Sequence, residues 1–129
     1  MDLESSRFLF KAAESLASAE ADLAATRYNS CADRAYYAAF QAAIAALIHS
    51  GVTQRRQRWE HAFVMSEFSG TLIRRRRLVP SSLRDVLNSL RDARNVADYR
   101  SSSVSRDTAK RSLRNARTVV AVVNALKGG

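Results

Sequence analysis

The chain has 129 residues, of which 47% are hydrophobic, and its formal net charge at pH 7 is +9. This length suits a single domain with a hydrophobic core, and only four glycines and one proline argue against a disordered or collagen-like chain. No stretch reaches the roughly 18 uninterrupted apolar residues of a membrane span, so the sequence predicts no membrane association.

The N-terminal stretch and the cysteine content indicate the cellular compartment. The N-terminal stretch MDLESSRFLFKAAES begins with acidic residues and lacks the pattern of a cleavable signal. A single cysteine, Cys31, cannot form an internal disulfide, which is typical of a reducing environment. The sequence therefore predicts one cytoplasmic domain over residues 1–129. Its basic surface would attract nucleic acid, anionic lipid or an acidic protein, and charge alone does not choose among them.

The first two predicted helices cover residues 3–25 and 30–49. The second ends before Gly51, a residue that favours helix C-termini, and it is rich in alanine on all sides. Because it is apolar nearly all round, we expect it to be the central and most buried helix. The inward stripe of the first helix is predicted to consist of Leu9, Ala13, Leu16, Glu20 and Leu23.

The third predicted helix covers residues 59–72, and two basic runs bracket it. QRRQR precedes the helix and RRRR follows it, and both runs could contact a phosphate backbone. Two solvated loops are an equally good interpretation, because no aromatic residues interleave with the arginines. The inward side chains are predicted to be Phe63, Phe68 and Leu72. The residues of the two basic runs are 55–58 and Arg74, Arg75, Arg76 and Arg77.

Two further helices complete the chain. The fourth is predicted to begin after Pro80, with Ser81 or Ser82 as its cap, and the fifth begins at a cap formed by Ser105. The inward positions of the fourth follow helical spacing, and the same spacing recurs in the fifth. No internal repeat and no interdomain linker is visible, so the sequence predicts an all-α helical bundle. The inward residues of the fourth helix are Leu83, Val86, Leu87, Leu90, Ala93 and Ala97.

Several kinds of site are excluded by the residue types. A di-iron bundle needs Glu-x-x-His pairs, and neither His49 nor His61 has a carboxylate three residues before it. No Cys/His cluster suits zinc, and no glycine-rich loop could hold a nucleotide. The sequence therefore predicts neither a metal ion nor a cofactor. We interpret His61, beside Trp59, as a partly buried packing residue and not as a base.

The stretch LRDARNVADYR, residues 90–100, carries polar side chains that a core does not explain. Arg94, Asn95, Asp98 and Tyr99 lie together at the end of the fourth helix. One interpretation is structural: Arg94 pairs with Asp98 as an exposed helical ion pair worth only about 0.3 kcal/mol, and Tyr99 packs at the helix end. The other interpretation is a site that faces a phosphate.

Three blocks of the sequence resemble the HEPN family. RYNSCADRAYYAAFQAAIAALI is similar to the family's second-helix signature, and WEHAFVMSEF resembles the Trp/His helix of a bacterial and archaeal branch. LRDARNVADYR then falls at the family's functional segment, and the resemblance covers residues 5–126. It implies a five-helix, mainly up-and-down bundle that commonly dimerises. The strongly apolar second helix also favours a homodimer.

The resemblance further implies a function. Many members are encoded beside a minimal nucleotidyltransferase and act with it as toxin–antitoxin pairs, and active members are metal-independent ribonucleases with an Arg, a polar residue, a spacer and a His. Arg94 and Asn95 match the start of this motif, and Tyr99 stands at the position of the His. An ending of Arg-x3-Asp-Tyr resembles a subgroup of the family. Tyrosine, with an ordinary pKa near 10, provides little phenolate at neutral pH and is therefore a much worse general base than histidine.

Three hypotheses follow from these observations. The first is an RNA-directed, toxin-like ribonuclease, with Arg94, Asp98 and Tyr99 as catalytic residues and Asn95 and residues 74–77 as nucleic-acid contacts. The second is a non-catalytic module that binds RNA or a nucleotide. The third is an interaction subunit that docks on an acidic partner through its arginines.

Overall fold

A computed structural model describes residues 1–54 and 58–128, and these residues are mainly helical. A π-helical segment, Phe68–Arg75, continues the third α-helix, and short 3₁₀ turns occupy Ser81–Leu83 and Leu126–Gly128. Within the described residues there are no strands, and the predicted all-α bundle of five α-helices is confirmed. The α-helices are α1 (Leu3–Ala24), α2 (Tyr28–His49), α3 (His61–Glu67), α4 (Val86–Tyr99) and α5 (Arg106–Ala125).

The centre of the bundle is α2, as predicted. It packs against α1, α4 and α5, because alanines on several of its faces let the neighbouring helices approach closely. This arrangement removes one reason for expecting a dimer. Most of α2 is buried within a single chain, so its apolar surface does not require a second copy. The alanines buried along it are Ala32, Ala35, Ala38, Ala39, Ala42, Ala43, Ala45 and Ala46.

The buried face of α1 differs from the predicted stripe. Ala13 and Glu20 are exposed, and Glu20 accepts a hydrogen bond at 3.2 Å from Nε of Arg117 on α5. Small side chains turn inward instead, because the alanine-rich surface of α2 leaves little room for larger ones. The predicted stripe followed the leucines at helical spacing, and it was wrong at Ala13 and Glu20. The residues buried on α1 are Ser5, Leu9, Ala12, Ser15, Ala19 and Asp22.

The third predicted helix is divided into two kinds of helix. The α-helical part begins at His61, and the chain passes into the π-helical segment at Phe68. Phe68 and Leu72 are buried as predicted, but Phe63 is 36% exposed, so the expectation that it faces inward was wrong. Its ring lies 6.0 Å from that of Trp59 and packs there instead. Residues 55–57 of the first basic run lie outside the described residues.

The last two helices position the candidate site. Ser105 caps α5 as predicted, since its Oγ accepts a hydrogen bond at 3.1 Å from the backbone N–H of Thr108. The start of α4 is later than predicted, because residues 81–83 form the 3₁₀ turn and the α-helix begins at Val86.

In the part of the chain that the structure describes, no helix is long and apolar enough to cross a membrane.

Candidate functional site

Arg94 lies at the centre of a group of aromatic rings where α4 faces α2. Its side chain is only 18% exposed. The guanidinium carbon Cζ is 5.2 Å from the ring centroid of Tyr36 and 5.5 Å from that of Tyr37. The ring of Tyr99 is also 5.5 Å away. A guanidinium among three rings gains cation–π attraction that increases as water is excluded, so these rings hold the cation in place.

Two carboxylates, one from each helix, face the same guanidinium. Nε of Arg94 lies 3.4 Å from Oδ2 of Asp98 and 3.9 Å from Oδ1 of Asp33. Asp33 is also paired with its neighbour on α2, because Nη2 of Arg34 lies 2.8 Å from the other carboxylate oxygen. The helical Arg94–Asp98 pair of the structural interpretation is present. The pair is one part of a larger contact between two helices.

Tyr99 places a hydroxyl and an open ring beside this cation. Nη2 of Arg94 donates a hydrogen bond at 3.2 Å to Oη of Tyr99, and Tyr99 is 72% exposed. The structure therefore brings Arg94, Asp98 and Tyr99 together, as the motif predicts. An exposed aromatic ring next to a positive charge suits stacking of a nucleic-acid base. We call this group the Arg94 cluster; it consists of Asp33, Tyr36, Tyr37, Arg94, Asp98 and Tyr99.

The environment changes the acidity of the charged groups in the cluster. Burial raises the pKa of the Asp98 carboxyl above its ordinary value, and the neighbouring Asp33 adds to this rise while Arg94 opposes it. Desolvation lowers the pKa of Arg94, but the three tyrosines and Asp98 outweigh it and the net change is upward. Arg94 therefore stays positively charged, and Asp98 is a stronger base than an ordinary aspartate.

His61 is joined to the cluster through Tyr36. The Tyr36 hydroxyl lies 2.8 Å from Nδ1 of His61, and burial raises the pKa of Tyr36 to about 12. The His61 ring stacks on Phe40 with centroids 6.2 Å apart. Burial lowers the pKa of His61, although its hydrogen bond to Asn88 acts in the opposite direction. The prediction of a partly buried packing histidine is confirmed.

The other predicted site residues lie outside the cluster. Asn95 is half-buried beside Arg94, and within the described residues its side chain forms no hydrogen bond. The run 74–77 is exposed at the end of the π-helical segment, away from the hydrogen bonds of the Arg94 cluster. A role for Asn95 or for these arginines in binding nucleic acid stays a prediction.

Three members of the cluster were not identified from the sequence. Asp33, Tyr36 and Tyr37 come from α2, for which the sequence predicts packing residues only. A signal was present, because the stretch DRAYY places two charges and two tyrosines in a helix otherwise dominated by alanine. Among residues 1–54 and 58–128, no group of three or more His, Cys, Asp or Glu side chains could hold a metal ion.

A comparison with protein-family models gives a match that covers most of the chain. A family model described as HEPN domain matches residues 5–126, which include most of α1 and all of α2, α3, α4 and α5. No curated protein sequence matches the chain significantly. The match therefore includes both sides of the Arg94 cluster, the tyrosines and Asp33 on α2 as well as the motif on α4.

Proposed function

We propose that this chain, which belongs to the HEPN family, is an RNA-directed protein that cleaves RNA at the Arg94 cluster without a metal ion. One observation carries the proposal. The guanidinium of Arg94 contacts a carboxylate and a phenolic hydroxyl together, Asp98 at 3.4 Å and Tyr99 at 3.2 Å. A cation, a base and a hydroxyl are thus within reach of one phosphate group.

The chemistry of this proposal assigns one role to each group. The Asp98 carboxylate accepts the proton of an RNA 2′-hydroxyl, and its raised pKa makes it a better base for this step. The 2′-oxygen then bonds to phosphorus while the bond from phosphorus to the 5′-oxygen breaks. Arg94 stabilises the negative charge on the phosphate oxygens, and the Tyr99 hydroxyl donates a proton to the departing 5′-oxygen. The products are a 2′,3′-cyclic phosphate and a 5′-hydroxyl.

The family also suggests a biological setting. We propose that the protein is the toxin-like half of a pair whose other member is a minimal nucleotidyltransferase acting as antitoxin. In a homodimer, two copies of the Arg94 cluster would contribute to one cleft, which gives a short motif enough groups to bind and cleave RNA. Support for this setting comes from the family match alone.

A second candidate function is RNA or nucleotide binding without cleavage. The observation that favours it is the second carboxylate, Asp33, which lies 3.9 Å from Nε of Arg94 and offsets part of the positive charge offered to a phosphate. The open ring of Tyr99 would still stack on a base, because stacking needs only an accessible aromatic face. In this case the cluster holds RNA but lacks the charge balance that cleavage needs.

The experiment that separates these functions is a ribonuclease assay with a chelator present. Purified protein is incubated with end-labelled single-stranded RNA, and both bound and cleaved fractions are measured. Asp98→Asn removes the base while keeping its shape, and Arg94→Lys keeps the charge while losing the planar fork. Arg91→Ala is the matched control, because Arg91 is exposed on the same helix and forms no ion pair within the described residues.

The outcomes are distinct. Cleavage that yields 2′,3′-cyclic phosphates and is lost in Asp98→Asn and Arg94→Lys supports the ribonuclease. Binding without cleavage, lost in Arg94→Lys but retained in Asp98→Asn, supports the second candidate. If Arg91→Ala weakens binding and Arg94→Lys, which keeps the charge, does not, binding reflects general positive charge and both proposals fail.

A further inference from the structure

A cavity of about 500 Å³ lies between the π-helical segment and the 3₁₀ turn before α4. Arginine side chains from two separate parts of the chain converge on it, and hydroxyl groups stand on both sides. Among the residues that the structure describes, no acidic one lines it. The residues that line this cavity, which we call the Arg84 pocket, are Ser69, Ile73, Arg74, Arg77, Ser81 and Arg84.

The run of four arginines at 74–77 is divided between two roles. Nη2 of Arg75 lies 3.6 Å from Oε2 of Glu67 and donates a hydrogen bond at 2.6 Å to Oγ1 of Thr71. Nη1 of Arg76 donates to the backbone carbonyl of Ser50 at 3.4 Å. Neither residue lines the Arg84 pocket. Two arginines of the run are therefore engaged in contacts within the protein.

The other two arginines, Arg74 and Arg77, line the pocket with Arg84. Among the described residues none of the three forms an ion pair. Three like charges around one cavity repel one another, and no carboxylate in the lining offsets this repulsion. Such an arrangement suits an anion that neutralises the guanidinium groups.

The backbone at Arg77 supports the same interpretation. Arg77 has φ +52°, a left-handed conformation that glycine adopts readily and that other residues rarely occupy. It follows the π-helical segment, where the N–H of Leu78 bonds at 2.8 Å to the carbonyl of Leu72. Glycine would serve this helix end with less strain. An arginine at this position is explained if its side chain has a ligand.

We propose that the Arg84 pocket binds a phosphate group of an RNA strand, at a point separate from the Arg94 cluster. Guanidinium groups match the oxygens of a phosphate, and the serine hydroxyls can add further hydrogen bonds. Arg84 lies just before α4, the helix that carries Arg94. Ten residues of helix span roughly 15 Å, so one strand can reach both sites. RNA as the source of the phosphate rests on the proposed function; the anion site itself does not.

The first test compares two double variants with the same change in net charge. Affinity for a fluorescently labelled single-stranded RNA is measured as a function of salt concentration in the wild type, Arg74→Ala/Arg77→Ala and Arg75→Ala/Arg76→Ala. One lost phosphate contact flattens the slope of log affinity against log salt by roughly 0.7. We expect this change in the first variant and little change in the second. Equal changes in both would overturn the pocket in favour of diffuse charge.

Arg84→Ala tests whether Arg84, which lies outside the run 74–77, contacts the same phosphate as Arg74 and Arg77. It should flatten the salt slope by the same amount as Arg74→Ala/Arg77→Ala, and combining all three substitutions should add little, because one phosphate is lost in each case. Additive effects would contradict a single shared site. Arg77→Gly is the control that separates loss of RNA binding from misfolding. Relief of the left-handed strain should leave its melting temperature unchanged or higher, while RNA binding weakens as in the double variant.

A second test uses inorganic phosphate as the probe and does not depend on RNA cleavage. Titration followed by NMR should shift the signals of residues around the pocket in the wild type and in Arg94→Lys, but not in Arg84→Ala. Absence of ribonuclease activity in the wild-type protein, with this result retained, would reject the proposed function and keep the pocket. If the pocket binds phosphate but Arg84→Ala does not change the affinity for RNA, RNA is not the source of the phosphate. Binding of an acidic protein in place of RNA would overturn the proposal in the same way.

Discussion

The hydroxyl of Tyr36 lies 2.8 Å from Nδ1 of His61, and this contact joins the buried centre of α2 to the first residue of α3. On the other side of the imidazole, Nε2 lies 3.4 Å from Oδ1 of Asn88 on α4. A neutral ring satisfies both contacts, since Nδ1 accepts from the tyrosine and Nε2 donates to the amide. His61 therefore links three helices.

We expect the stability of the protein to fall in mild acid because of His61. Burial lowers its pKa, so the unfolded chain takes up a proton before the folded chain does. The stability that neutral His61 contributes is complete above the ordinary pKa near 6.5 and is lost as the pH falls towards the lower folded-state value. Urea unfolding at pH of about 7.5 and about 5.5 measures this change, which His61→Gln should remove. His49→Gln is the control, and identical pH dependence in the wild type and His61→Gln would contradict the assignment.

Tyr36→Phe should lower the free energy of unfolding by about 1–3 kcal/mol, because it leaves Nδ1 of the half-buried His61 without its donor. The ring contacts with Arg94 and Phe40 remain possible, so the loss measures the hydroxyl. Tyr37→Phe is the matched control, since in the described part of the chain its hydroxyl forms no hydrogen bond. Chemical denaturation that gives equal losses for both variants would contradict this account.

Arg94→Ala should destabilise the fold by roughly 1–3 kcal/mol, since it leaves Asp98 without its counter-charge and Asp33 with Arg34 alone. The sequence alone predicted an almost neutral effect. Arg94→Lys should lose less stability, because the ammonium group keeps the charge. Arg91→Ala, at an exposed position, should stay within about 0.5 kcal/mol of the wild type in urea unfolding. A neutral Arg94→Ala variant would show that the cluster contributes nothing to folding.

Substitutions at Tyr99 test the chemistry of the cluster. If the site cleaves RNA, Tyr99→His should raise the cleavage rate by roughly tenfold or more, because a histidine with an ordinary pKa near 6.5 gives a proton to the departing 5′-oxygen more readily than a tyrosine does at neutral pH. Tyr99→Phe keeps the ring and removes the hydroxyl that Arg94 contacts, so it should retain binding and lose cleavage. Single-turnover assays measure the cleavage rates of both variants. A Tyr99→Phe variant that cleaves normally would exclude proton donation by this residue.

We also expect a homodimer, for a different reason from the one that the sequence suggested. Leu3 and Phe10 are each 67% exposed on α1, and Tyr99 adds another open ring. Large apolar side chains at the surface are often covered by a partner. Sedimentation velocity at micromolar concentration should therefore give the mass of two chains. A monomer under these conditions would count against a composite cleft formed by two Arg94 clusters.

The local part of the site was predictable from the sequence, and the part that depends on packing was not. Arg94, Asp98 and Tyr99 lie within two turns of one helix, so helical spacing brings them together. The contribution of Asp33 depends on how α2 packs against α4, which a single sequence does not specify. For the same reason the central position of α2 followed from its composition, whereas the exposure of Phe63 did not.

The π-helical segment has a consequence for the comparison of related chains. Each hydrogen bond of its backbone spans one more residue than in an α-helix, as the bond from the N–H of Arg76 to the carbonyl of Thr71 illustrates. Deleting Gly70 would let the segment become α-helical, and each residue of such a helix turns by about 100°. Arg74 would then point away from Arg84, although the deletion changes no charge. Residue spacing after Phe68, and not the number of arginines, is the feature by which a similar pocket can be identified in another sequence.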